Sequence, residues 1–172
     1  KILKDDIDKV NNNFTNVKYY GAKGDGATDD SAAIQNALDN CKGTVYFPNG
    51  VYMCNNIKIP SNTKLIGNMS TLKINASNII LTNKTDGTIE NIVVEGFIID
   101  GNMNVISWAS TVGFSHCKNI TIRNCIFQNN GQYHMLEINS TKHAVIENCE
   151  FKNYGKTSGY TEMIQLDYAW GE

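Results

Sequence analysis

Two carboxylates, Glu137 and Asp167, sit in short segments that superpose on each other and on a third. Val112-Gly-Phe-Ser115, Leu136-Glu-Ile-Asn139 and Ile164-Gln-Leu-Asp167 recur at intervals of 24 and 28 residues. Each alternates apolar residues with others, the pattern of a strand with one buried face. Val112, Leu136 and Ile164 then face inward with Phe114, Ile138 and Leu166. Gly113, Glu137 and Gln165 form one outward column, and Ser115, Asn139 and Asp167 the next. Neighbouring strands lie about 4.8 Å apart and two residues along a strand cover about 6.7 Å, so Glu137 and Asp167 are expected about 8 Å apart across the diagonal. That separation falls in the range of about 6.5–9.5 Å in which one carboxyl group protonates a leaving glycosidic oxygen and another activates water. Glu137, beside Gln165, is assigned as the acid and Asp167 as the base. Exposed carboxylates also occur on strands with no chemical role. Gly113 and Ser115 would leave low ground beside the hydrogen-bonding groups of the next two coils, a surface that suits a sugar chain.

His134 and Glu162 precede two of these strands at equivalent positions, with Tyr133 and Tyr160 nearby. Aromatic rings offer apolar faces to sugars, and histidine at its ordinary pKa exchanges protons near neutrality. Ser115, Tyr133, His134, Asn139, Glu162 and Gln165 are therefore candidate substrate contacts; decoration of a turn is the alternative for the residues outside the strands. Trp108 and Trp170 fit a sugar platform, a buried ring or a subunit contact equally well. His116 and His143 lie at turns and read as structural.

The elements that must position these residues show in a second repeat. Asn91-Ile-Val-Val-Glu-Gly-Phe-Ile-Ile-Asp100, Asn119-Ile-Thr-Ile-Arg-Asn-Cys-Ile-Phe-Gln128 and His143-Ala-Val-Ile-Glu-Asn-Cys-Glu-Phe-Lys152 start 28 and then 24 residues apart. That period is one coil of a stacked solenoid and too short for an independent domain. Ile92, Val94, Phe97 and Ile99 are expected to stack on Ile120, Ile122, Cys125 and Phe127, and these on Ala144, Ile146, Cys149 and Phe151. The alternation breaks at Gly96, Asn124 and Asn148, where a bend needs residues that tolerate a left-handed backbone. Asparagines stacked there would bond to one another as a ladder. Glu95, Arg123 and Glu147 should form an outward column of alternating sign, stabilising by about 0.2–1 kcal/mol per pair. With that arginine paired, no free cationic base stands near Glu137 and Asp167, which favours hydrolysis over β-elimination. The fold predicted is a single-stranded parallel β-solenoid.

Upstream, residues 1–15 carry Ile2, Leu3, Ile7 and Val10 at weak helical spacing and read as a connector or short helix. Residues 16–172 form the β-helix domain. Asn16 to Asp30 is rich in Gly and Asp. Ser31 to Cys41 then has Ala33, Ile34, Ala37, Leu38 and Cys41 at helical spacing, with Asp29 or Asp30 as N-cap and an end near Gly43. The Gly21/Gly24/Asp25/Gly26 cluster lacks the spacing of a phosphate loop, and Asp25, Asp29 and Asp30 lack that of an EF-hand. A turn plus helix cap explains it.

The run Val17-Lys-Tyr-Tyr-Gly-Ala-Lys-Gly-Asp-Gly26, then Thr28-Asp-Asp30, Ala33-Ile34, Ala37-Leu38 and Val45-Tyr-Phe-Pro-Asn-Gly-Val-Tyr52, resembles the N-terminal signature of the pectate lyase superfamily. The branch is that of rhamnogalacturonase-like and polygalacturonase-like enzymes and phage tailspikes. The resemblance implies a single-stranded right-handed parallel β-helix with a short N-terminal α-helix capping its first coil, an extracellular polysaccharide ligand and frequently a homotrimer, with the stretch before Val17 as an attachment to a phage tail or cell surface. Asp100-Gly-Asn102 resembles a family turn.

The 172 residues carry a formal charge of −2, which gives no electrostatic case for nucleic acid or acidic membranes. No apolar run approaches membrane-spanning length. Five cysteines without C-x-x-C spacing make neither a disulfide framework nor a zinc site, and none reads as a nucleophile. No cofactor or metal is called for. An uncapped last coil would expose a row of unpaired backbone groups, so further coils are expected beyond Glu172. The functional expectation is a secreted or virion-borne polysaccharide depolymerase acting by inverting hydrolysis. The alternatives are a non-catalytic glycan-binding tail or adhesin module, and a lyase whose catalytic residues lie elsewhere.

Overall fold

The computed structural model describes residues 13–84, 89–105, 109–131, 133–155 and 162–167. Alternating apolar residues build a solenoid of about five turns from parallel strands, with one α-helix among the described residues. One sheet carries β1 (Phe14–Asn16), β3 (Thr44–Tyr46), β6 (Thr63–Ile74), β8 (Ile89–Asp100), β10 (Cys117–Arg123) and β13 (Lys142–Glu147) in that order. It also takes in β2 (Asp25–Asp29), β4 (Val51–Cys54), β11 (Ile126–Gln128) and β14 (Glu150–Phe151). The second sheet runs β5 (Ile57–Ile59), β7 (Leu81–Asn83), β9 (Val112–Ser115), β12 (Leu136–Asn139) and β15 (Ile164–Asp167).

The register of the first sheet follows the repeat. Ile120 pairs with Ile92 and Ala144, Ile122 with Val94 and Ile146, and Phe127 with Ile99 and Phe151. The rings of Phe127 and Phe151 are stacked, their centroids 4.7 Å apart and planes at 9°. Phe47 meets both Tyr52 and Phe97 edge-on at 5.4 and 5.1 Å, so three fully buried rings fill the first coils. Ala144, Ile164 and Leu166 occupy the expected inward columns yet are exposed, Leu166 to 71%, because no described strand covers β13 or β15.

Gly96, Asn124 and Asn148 all have positive φ, at 74°, 54° and 51°, as the break in alternation requires. The asparagine ladder lies elsewhere. Asn91 donates to Asn62 at 2.8 Å and Asn119 to Asn91 at 2.9 Å, and Asn153 donates to Asn129 at 3.2 Å. Asn62, Asn91 and Asn119 share φ values of 58–60°, which aim their amides along the solenoid axis. Burial pushes the Cys117 and Cys125 thiols up to about 11 and Cys54 higher still, so none is a ready nucleophile.

The capping helix α1 (Ser31–Asn40) buries Ile34, Ala37 and Leu38. Asp30 occupies its N-cap position, but the buried carboxylate turns back to accept from the Lys23 and Gly24 N–H groups at 2.6 and 3.0 Å. Asp29 instead accepts from the Ser31 N–H and hydroxyl. Gly24 has φ 61°, and a Cβ there would fall 2.8 Å from the Tyr52 ring, so the loop needs glycine on two counts. The Asp25 carboxyl is held at about 2 by the Thr28 and Ala27 N–H groups and the Thr28 hydroxyl, as a turn requires. Asp30→Ala is expected to cost about 2–3 kcal/mol, because two N–H donors to a charged acceptor lose their partner. Urea midpoints will show it, against about 1 kcal/mol for Asp29→Ala, a cap at the surface.

The expected connector meets a correction at its end. Phe14 and Thr15 are strand, in register with Thr44 and Val45, because this stretch has an open edge of β3 to pair with. The remainder of that stretch, residues 1–12, lies outside the described residues.

The ion-pair column is longer than the repeat indicated. Glu95 meets Arg123 at 3.0 Å and also Lys64 at 2.9 Å, while Arg123 reaches Glu147 at 3.8 Å. Hydrogen bonds from Lys64 and then Arg123 hold the Glu95 carboxyl below its ordinary value. A depressed carboxyl contributes stability that is present above its unfolded pKa, about 4.3, and lost as pH falls through the folded value. Glu95→Gln is therefore expected to lower Tm above about pH 5 and to converge on wild type as pH falls below the depressed folded value, in melting curves run from neutral to acid pH.

Candidate functional site

The second sheet presents its outward columns in the register the sequence predicts. Glu137 pairs with Gly113 and Gln165, and Asn139 with Ser115 and Asp167. The inward residues Val112, Phe114, Leu136 and Ile138 are buried, so Glu137 projects from a packed floor, whereas Ile164 and Leu166 beside Asp167 are exposed. Glu137, Ser115, Asn139 and Gln165 are half-buried and Asp167 is exposed.

Glu137 is held at both oxygens. Asn139 Nδ2 donates to Oε1 at 2.6 Å, and the buried Ser110 hydroxyl donates to Oε2. Asn139 Oδ1 is buried and accepts no hydrogen bond. Ser110 was missed by sequence reasoning. It lies 27 residues before Glu137, three positions off the 24-residue register of the strands, in the turn before β9 and outside the alternating pattern.

Two expectations change. Gly113 is no low ground, because an ideal Cβ there would lie 2.9 Å from Ile79 Cδ1: the half-buried Ile79 side chain occupies the space. His134 is fully buried, so it presents no surface for a sugar. Its Nδ1 accepts from the Glu162 N–H at 3.1 Å and lies 3.2 Å from Glu162 Oε2, tying one coil to the next. Tyr133, half-buried, packs its ring on His134 at 4.0 Å and accepts from the Tyr154 hydroxyl at 2.7 Å through its carbonyl. Tyr160, Trp108 and Trp170 lie outside the described residues. His116 and His143, at φ 53° and 62°, are turn residues as expected.

Ile138, Ser140, Thr141, Lys142 and Leu166 border an open cavity of about 700 Å³ at the end of the stack, which also touches Asp167. Among the described residues no group of three or more His, Cys, Asp or Glu side chains could hold a metal ion, and no helix is long and apolar enough to cross a membrane.

Parallel coils, the left-handed turns and the capping helix together define a right-handed parallel β-helix protein of the pectate lyase-like class. The family described as rhamnogalacturonase A/epimerase, pectate lyase-like, matches residues 14–78. The chain is 37% identical over 130 residues to the preneck appendage protein of Bacillus phage PZA, a match covering 69% of the chain and 15% of the length of that relative. PfbA, a surface adhesin of Streptococcus pneumoniae, superposes with a TM-score of 0.70 at 27% identity, over 87% of this chain and 42% of that one. An exopolygalacturonase of Thermotoga maritima has a TM-score of 0.74 at 16% identity, over 84% of this chain and 48% of that one, a likeness of fold alone.

Proposed function

We propose that this chain is the glycan-engaging β-helix of an extracellular or virion-borne protein, and that it depolymerises polysaccharide by inverting hydrolysis at Glu137 and Asp167. One observation carries the reading: Glu137 and Asp167 stand on adjacent strands of one outward face, two positions apart in register. In-register strands place such carboxylates about 8 Å apart, room for a water beside a glycosidic bond. Glu137 delivers a proton to the leaving oxygen and Asp167 removes one from the attacking water. Ser115, Asn139 and Gln165 flank the pair as hydrogen-bonding contacts for the sugar hydroxyls. The relatives that are a phage appendage protein and a surface adhesin support a place on a virion or cell surface. A homotrimer attached through its N-terminal end is part of the same reading.

A binding module without catalysis is the second reading. It is favoured by the hydrogen bonds that occupy both Glu137 oxygens and by the likeness to an adhesin. Incubation with a panel of bacterial and plant polysaccharides separates the possibilities. New reducing ends establish hydrolysis, an unsaturated ultraviolet-absorbing product establishes elimination, and retention of intact polymer establishes binding alone. Failure to retain or cleave any polymer rejects a glycan role.

A further inference from the structure

Spacing along the chain assigns the five cysteines no framework, yet the fold stacks two of them. We propose that Cys125 and Cys149 form a redox-controlled disulfide that staples one coil to the next. Cys125 joins β10 to β11 and Cys149 joins β13 to β14, each just after the bend at Asn124 or Asn148. The residues on either side are in parallel register, Arg123 with Glu147 and Ile126 with Glu150, and the Glu150 N–H donates to the Cys125 carbonyl at 3.0 Å. Cys125 and Cys149 are therefore register partners, and both pack on the core. Adjacent strands about 4.8 Å apart put their Cα atoms inside the range of about 4.4–6.8 Å that a disulfide spans.

The thiols take one pose, a coil apart. Cys125 Sγ lies 3.2 Å from the Arg123 carbonyl oxygen and 3.8 Å from that of Val94 in the preceding coil. Cys149 Sγ lies 3.4 Å from the Glu147 carbonyl oxygen and 3.6 Å from that of Ile122, the register partner of Val94. The two thiols are also within hydrogen-bonding reach of each other. The other cysteines sit in different columns: Cys54 pairs with Ile74, Cys117 with Ile89, and the Cys41 thiol donates to the Thr44 carbonyl at 3.4 Å.

Cys149 is half-buried where Cys125 is 1% exposed, so it is the point of entry. Its thiolate attacks one sulfur of a small disulfide such as glutathione disulfide, and the first glutathione leaves as a thiolate. The Cys125 thiolate then attacks Cys149 Sγ and expels the second. The S–S bond of the reagent is broken and one is made in the protein. Two electrons pass from the cysteines to the glutathione sulfurs, which take up the two cysteine protons. Burial raises both thiols, Cys125 to about 11, so thiolate is scarce at neutral pH and exchange is slow there. Such a bond suits a protein outside the cell, where disulfides persist. Because each coil of a solenoid touches only its neighbours, the staple opposes the separation of these two coils.

Incubation of the folded chain with glutathione disulfide at about pH 8.5, then acid quenching, denaturation and alkylation, tests the staple. Two of the five thiols are expected to escape alkylation. Trypsin, cutting after Arg123, Lys142 and Lys152, is expected to release peptides 124–142 and 143–152 joined by a reducible bond. Limited proteolysis of the oxidised chain between residues 129 and 155 should run about tenfold slower than in the reduced chain, and dithiothreitol should restore the faster rate. Cys149→Ser should show neither the joined peptides nor the protection. Five thiols persisting, glutathione retained on Cys149 without the joined peptides, or a bond that takes in Cys41, Cys54 or Cys117 overturns the inference. Equal proteolysis of the oxidised and reduced chains also overturns it. None of these outcomes touches the glycan reading, which rests on the other sheet.

Discussion

Phe127→Ala is expected to destabilise the protein by about 3–5 kcal/mol, the usual cost of truncating a fully buried phenylalanine. The ring is 1% exposed and lies flat against Phe151, and its backbone is paired with Ile99 on one side and Phe151 on the other. Its removal opens a gap between coils that stiff parallel strands cannot close. In a solenoid each coil touches only its neighbours, so the loss should be local before it is global. Limited proteolysis of the variant should begin between residues 129 and 155, while β3 to β6 stay protected. Val145→Ala is the control: Val145 points outward and is 47% exposed, and its change should stay within about 0.5 kcal/mol. A urea midpoint for Phe127→Ala that matches this control would mean that the stacked inward column does not hold the coils together.

Glu137→Gln and Asp167→Asn are each expected to lower polysaccharide cleavage by about 10²–10⁴-fold, the usual contribution of a positioned acid or base. Both substitutions keep shape. At position 137 the amide can still pair with Ser110, whose hydroxyl either donates or accepts, and Asn139 can rotate so that its unpartnered Oδ1 takes the new N–H. Folding should therefore survive, and melting temperatures will verify that it does. Retention of intact polymer should persist in Asp167→Asn while reducing ends vanish. The double variant should be hardly slower than the worse single one, because acid and base act in one step. Full cleavage by both single variants would reject the assigned pair and leave a glycan surface without these chemical roles.

Most of the architecture was legible because it is periodic. Alternation fixed which face of each strand is inward, and intervals of 24 and 28 residues fixed which residues meet across strands. Hence the columns of Glu137 with Gln165 and of Asn139 with Asp167 emerged in register without coordinates. The bends at Gly96, Asn124 and Asn148 were legible for the same reason: a strand that changes direction needs a left-handed residue there.

What lay hidden belongs to the loops and to side chains that reach between coils. His134 is drawn into the core edge by the Glu162 backbone, 28 residues away, and Ile79 settles over Gly113 from the turn before β7, outside the alternating stretch. Ser110 meets Glu137 from a loop, and the Asn62, Asn91 and Asn119 amides bond where their turns share one φ. Period-two alternation in sequence determines which way a strand residue points, because the pleat leaves it no choice. A loop residue has no such constraint, and its direction is decided only when the neighbouring coil supplies a partner for it.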